Sequence, residues 1–96
     1  MQQHAERVII APSMLCADFR CLAEDIRRLE AAGADWLHFD VMDGQFVENL
    51  TYGPIIVEAA RPLTELFFDA HLMIEKPLRQ IEKFARAGAQ LICVHE

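Results

Sequence analysis

Apolar positions along this chain recur with two different periods, and the switches between them mark out its elements. From Phe19 onward, Phe19, Leu22, Ile26 and Leu29 follow one another at steps of three and four, the spacing of one helical face. Asp18 suits the N-cap of that helix and Gly33 the residue just beyond its C-terminus. Trp36–Met42 then changes to strict alternation, with His38, Asp40 and Met42 on one face and Leu37, Phe39 and Val41 on the other. Ahead of both lies a short apolar run, Val8-Ile9-Ile10-Ala11, stopped by Pro12 and read as a first strand. Gly53-Pro54 opens a second helix, with proline at a position that needs no N–H; it runs to about Arg61 and ends at Pro62. Leu66–Met73 reads as a third strand. Pro77 starts a helix carrying Leu78, Ile81 and Phe84-Ala85 on one side and closing at Gly88, and Leu91–His95 reads as a fourth strand.

Strand–helix alternation of this kind predicts parallel strands joined by right-handed crossovers. A weak internal repeat supports it, because Ala32-Gly33-Ala34 before strand two is echoed by Ala87-Gly88-Ala89 before strand four. The offset from Ala32 to Ala87 is 55 residues and covers two βα units. Eight units of roughly 27 residues would need roughly 220, within the usual range of a (β/α)₈ barrel. A doubly wound sheet is the alternative, but no Gly-x-Gly-x-x-Gly follows strand one. Three complete units and a bare fourth strand fall short of a barrel. The expectation is therefore an α/β partial TIM barrel, residues 1–96 forming its N-terminal half.

Composition narrows the partners. A net charge of −6 argues against nucleic acid, whose affinity rests on clustered Lys and Arg. It leaves room for a small phosphorylated substrate, which a few backbone N–H groups can hold. The polar opening Met1–Arg7 and the short apolar run after it fit neither a signal peptide nor a membrane span. Cys16, Cys21 and Cys93 show no metal-ligand spacing and read as buried or half-buried thiols in a reducing compartment. A cytoplasmic protein follows.

The chemistry concentrates on two strands. Strand two places His38 and Asp40 on one face near its C-terminal end, where barrel active sites sit. Strand three repeats the pattern with Phe67, Asp69, His71 and Met73. His38, Asp40 and His71 are thus candidate N, O and N ligands of one divalent metal. Two imidazoles and a carboxylate suit Zn, Fe, Mn or Co better than Mg or Ca. Each residue alone reads more simply as a hydrogen-bonded structural group; their matching placement on consecutive strands favours a site. Asp69 and His95 share the parity without further support and read as structural or outer groups. Met42 and Met73 would ordinarily fill a core.

Three stretches also carry a resemblance. Ala11-Pro12-Ser13-Met14-Leu15-Cys16-Ala17-Asp18-Phe19, then Trp36–Gly44 with Phe46-Val47 and Asn49, then Asp69–Pro77, resemble in order the signatures of the ribulose-phosphate 3-epimerase family. The resemblance runs over residues 8–96. It implies a metal-dependent isomerase that epimerises C3 of a ketose phosphate, D-ribulose 5-phosphate to D-xylulose 5-phosphate, through an enediolate. It implies metal binding by His38, Asp40 and His71, acid/base catalysis by Asp40, and substrate contact by Ser13, His71, Met42 and Met73. Such chemistry needs a base on each face of the carbon, so a second acid/base must accompany Asp40. That partner and the phosphate-binding loops belong to the later half of the family's barrel, so this stretch alone is expected to be inactive. A homo-oligomer is the expected assembly.

Three departures bear on substrate. Cys16 stands where many members carry Ser, and some hexulose-phosphate relatives, such as allulose-6-phosphate 3-epimerases, look similar to this chain at that point; Gln45 replaces a frequent His and Glu48 a frequent Pro. An allulose-6-phosphate 3-epimerase-like enzyme is the first alternative. The other is a non-catalytic metal-binding half-barrel that needs a partner chain. Orotidine-phosphate decarboxylase-type barrels share the architecture but need an Asp-x-Lys-x-x-Asp arrangement, and strand two carries no lysine.

Overall fold

The two alternating runs form β1 (Trp36–Met42) and β2 (Phe67–Met73), and a shorter β3 (Leu91–Val94) completes one sheet in the computed structural model, which describes residues 7–95. The strands are parallel and lie in chain order, β1-β2-β3. Sequential order without a reversal is what a closing barrel requires, whereas a doubly wound sheet changes direction at its switch point. Three helices alternate with them: α1 (Leu22–Ala31), α2 (Pro54–Ala60) and α3 (Ile81–Ala87).

Every second residue of β1 and β2 is buried. Leu37, Phe39, Phe68, Ala70 and Leu72 are fully buried, in one cluster with Ile26 of α1, Val57 and Ala60 of α2, and Phe84 of α3. Phe39 and Phe68 meet at 4.9 Å with rings inclined by 58°, a tilted pair centred beneath the sheet. Each fully buried aromatic or aliphatic side chain contributes roughly 1.5–3 kcal/mol, so this face holds the layers together. The opposite face carries the polar residues.

Both Ala-Gly-Ala echoes close helices by the same device. The Ala34 N–H reaches Leu29 O at 3.0 Å and the Gly33 N–H reaches Glu30 O at 3.1 Å. Ala89 and Gly88 repeat this on Phe84 and Ala85, at 3.0 and 3.1 Å. This left-handed cap requires positive φ, and Gly33 (99°) and Gly88 (124°) supply it.

Several expectations need correction. The run Val8–Ala11 forms no regular strand. It lies beside β1 through Ile10 O, which accepts from Asp35 and Trp36, and Pro12 O, which accepts from His38. Pro12 has no N–H to continue a ladder, and Val8, Ile9 and Ile10 remain exposed. The first helix opens with a 3-10 turn, Phe19–Cys21, capped by Asp18, so Phe19 leaves the apolar face and is exposed. Arg61–Leu63 continue α2 as a 3-10 turn through Pro62. Pro77–Arg79 form another before α3; the tighter turn swings Leu78 into solvent, and Ala85 also lies on the outer side. β3 stops at Val94, one residue short of His95. All three cysteines are exposed: Cys16 and Cys21 sit on or at 3-10 turns, and Cys93, opposite His71 in the register, lies on the polar face of the short edge strand.

Candidate active site

Parallel pairing in strict register builds the site. His38 is opposite Asp69, Asp40 opposite His71, and Met42 opposite Met73, so all six share the polar face. The Asp40 carboxylate lies at the centre. Its Oδ1 is 3.0 Å from His38 Nε2 and 3.8 Å from His71 Nδ1, and its Oδ2 accepts a 2.6 Å hydrogen bond from Ser13 Oγ. Ser13 arrives from the segment beside β1, bridged to His38, and its Oγ also accepts from the Leu15 N–H to cap a 3-10 turn. One donor atom from each of His38, Asp40 and His71 lies within 4.8 Å of the others. Tetrahedral ligands at metal distances of about 2.0–2.2 Å stand about 3.3–3.6 Å apart. The spacing fits a shared divalent ion.

Two outer groups orient the imidazoles. His38 Nδ1 is 2.7 Å from Asp69 Oδ2; a carboxylate accepts only, so a proton on Nδ1 satisfies Asp69 and the lone pair of Nε2, beside Asp40, is the one a metal would take. Burial pulls the His38 pKa down, but the Asp69 hydrogen bond and the charges of Asp40 and Asp69 outweigh it, and the net shift is upward from 6.5. His71 Nε2 lies 2.7 Å from His95 Nε2 with the rings stacked at 4.9 Å, leaving Nδ1 toward Asp40. Asp69 and His95, read from parity alone as structural or outer groups, thus touch the two imidazoles directly.

Two residues that the sequence reading passed over hold the neighbouring loop. Asp43 Oδ1 accepts from the Gln45 and Phe46 N–H groups, and Oδ2 accepts from Glu75 N–H at 2.8 Å, tying the loop after β1 to the loop after β2. The Glu75 N–H, against desolvation and joined by Gln45 and Phe46, holds the Asp43 carboxyl below its ordinary 3.8. Thr51 Oγ1 bridges two main-chain groups at the end of β1, accepting from Met42 N–H and donating to Asp40 O. The Asp43-Gly44 pair is a turn signal that could have pointed to the first; nothing local marks the second, because its partners lie nine and eleven residues back.

Parallel βα units in chain order form part of a (β/α)-barrel, and the His–Asp–His cluster on the polar face of its sheet could hold a metal ion. More narrowly, the chain belongs to the ribulose-phosphate 3 epimerase family, whose model matches residues 9–96. It is 54% identical over 91 residues to a ribulose-phosphate 3-epimerase of Synechocystis, covering 95% of this chain and 40% of that protein. With the Bacillus subtilis ribulose-phosphate 3-epimerase it shares 57% over 86 residues, covering 90% and 40%. A chloroplastic ribulose-5-phosphate-3-epimerase of Arabidopsis thaliana is 49% identical over 88 residues, covering 92% and 31%. The chain therefore spans about two fifths of the length of these first two relatives. Among the described residues no helix is long and apolar enough to cross a membrane.

Proposed function

We propose that these residues form the N-terminal half, 1–96, of a barrel that epimerises C3 of a ketose phosphate, interconverting D-ribulose 5-phosphate and D-xylulose 5-phosphate in the cytoplasm. The observation that carries the reading is the convergence of His38, Asp40 and His71 within 4.8 Å, in a chain about half identical to relatives named for this activity. A divalent ion, Zn, Fe, Mn or Co, held by those three residues would stabilise as a Lewis acid the negative charge that develops beside the substrate carbonyl. Asp40 moves the proton at C3 on one face and returns it in the reverse reaction. Its carboxylate is preset for this by the Ser13 hydroxyl, which donates to Oδ2. Ser13 and His71 contact the sugar, and Met42 and Met73, paired one step farther along the strands, wall the reacting carbons with polarizable groups that carry no acidic proton. The enediolate then takes its proton on the opposite face from a second acid/base, which leaves C3 inverted.

A coupled assay of the full chain as its gene encodes it, with and without a chelator, tests the reading. Epimerisation should be lost on chelation, restored by added divalent metal, and abolished in Asp40→Asn, which removes the acid/base and one of the three metal ligands together. Chelator-resistant turnover would overturn it. His38→Ala and His71→Ala should each lower bound metal; equal metal in both and in the unaltered protein would rule out this ligand set. Residues 1–96 as an isolated monomer should show no turnover, since epimerisation needs a second base on the opposite face. Apolar residues flank the sheet on both sides, Val8 and Ile10 at one edge and Leu91 and Val94 at the other. They favour cover by further chain or by a second copy in a homo-oligomer; light scattering on the full chain decides between the two.

A further inference from the structure

Beyond the residues that face substrate or metal, we infer that Thr51 is a positioning residue, its hydroxyl fixing the main chain from which Asp40 projects; the inference rests on the function proposed above. The reason lies at the edge of β1 that faces away from β2. Along that edge Trp36 and His38 donate their N–H groups to Ile10 O and Pro12 O. The pairing stops there, because after the Ser13–His38 bridge the chain leaves the sheet in the 3-10 turn Met14–Cys16. Asp40 and Met42 present main-chain groups to the same edge, beyond the last residue able to pair with them. Thr51 fills this gap from the opposite direction. Its Oγ1 accepts from Met42 N–H at 2.9 Å and donates to Asp40 O at 3.0 Å, while its own N–H reaches Met42 O at 3.1 Å. One side chain and one amide thus replace a strand neighbour over the residues that carry Asp40 and Met42.

A single hydroxyl donates one hydrogen and accepts another, so both contacts are satisfied at once, and no aliphatic side chain of the same shape can do this. Without it, the Met42 N–H and Asp40 C=O are left without these partners, and the strand end is free to twist or fray. Asp40 then departs from the geometry it shares with His38 and His71, and positions of this kind tolerate displacements of only about half an ångström.

The experiment uses the full chain as encoded, Co²⁺ as the probe, and three variants. Thr51→Val should weaken Co²⁺ binding, read from its visible spectrum, by about tenfold, and lower kcat by a similar factor with KM nearly unchanged. Thr51→Ser, which keeps the hydroxyl, should lie within about threefold of the unaltered protein on both measures. Gly88→Ala, before β3 at the far ends of the strands, should lower the melting temperature yet leave Co²⁺ affinity unchanged, which separates positioning from general destabilisation. In the unaltered protein the Met42 amide should exchange slowly with solvent, a reading that stands even when Thr51→Val fails to fold. Thr51→Val with unchanged Co²⁺ affinity, Thr51→Ser as impaired as Thr51→Val, Gly88→Ala with the same loss, or a freely exchanging Met42 amide would each overturn the inference. If the unaltered protein binds Co²⁺ but epimerises nothing, the proposed function fails while the affinities still decide the role of Thr51. No Co²⁺ binding at all overturns both.

Discussion

Gly33 and Gly88 close two helices with the same backbone conformation but in different surroundings, and replacing each with alanine separates strain from collision. At Gly33, φ is 99° and a Cβ built on the backbone meets nothing within 4 Å. Gly33→Ala should therefore cost only the strain of a side chain at positive φ, on the order of 1 kcal/mol. At Gly88, φ is 124° and the same atom would overlap Arg61 Cδ, stand 2.8 Å from Cγ, and press on Cβ at 3.2 Å. Arg61 cannot yield by rotating its tip alone, since its stem is in the way. Its guanidinium is also committed: it donates to Gly88 O, Gln90 Oε1, Thr64 O and Leu66 O, and stacks 3.7 Å over the Phe68 ring. Displacing it forfeits several hydrogen bonds of roughly 0.5–1.5 kcal/mol net each and a cation–π contact of roughly 0.5–2 kcal/mol. Allowing for partial replacement by water, Gly88→Ala should cost about 3–5 kcal/mol, a large share of an ordinary domain's stability. Urea unfolding of the full chain measures both substitutions, and the decisive comparison is a double-mutant cycle. In an Arg61→Ala background the contacts with Cγ and Cδ are gone and only the 3.2 Å approach to Cβ is left, so the cost of Gly88→Ala should fall most of the way toward that of Gly33→Ala. Equal costs for the two glycines in the unaltered protein, or a Gly88→Ala cost indifferent to Arg61, would refute the argument.

Two further outcomes follow from the site. Asp69→Ala removes the acceptor that holds the His38 Nδ1 proton, and metal affinity should fall by about 10–100-fold; calorimetric titration showing unchanged affinity would sink the idea that Asp69 fixes the His38 tautomer. Asp43 has a folded pKa below its ordinary 3.8, so its carboxylate contributes stability that is complete above about pH 5 and lost as pH falls through the lower folded value. The amides of Gln45, Phe46 and Glu75 should accordingly lose exchange protection in acid in the unaltered protein. In Asp43→Asn that acid step should vanish; an identical pH profile in the variant would show that these contacts do not depend on the charge.

Much of the architecture was legible in the chain itself. Strict alternation over Trp36–Met42 and Phe67–Met73 identified two strands and both of their faces, because a β-strand has a period of two and cannot bury Leu37 without turning His38 the other way. The same alternation nominated His38, Asp40 and His71, and the Ala-Gly-Ala echoes pointed to the helix ends whose caps only glycine satisfies without strain. The sequence did not reveal what depends on neighbours distant along the chain. Val8–Ala11 has the composition of a strand but only one partner, and Pro12 interrupts its ladder. Leu78 fits the helical spacing, but a 3-10 turn rotates it outward. Register, set between strands, brought Asp69 to His38, and a helix end brought Arg61 beneath Gly88. Thr51 meets Asp40 only because the loop after β1 folds back on its own strand. Local periodicity thus decides which way a side chain points; only the folded chain decides what stands there to meet it.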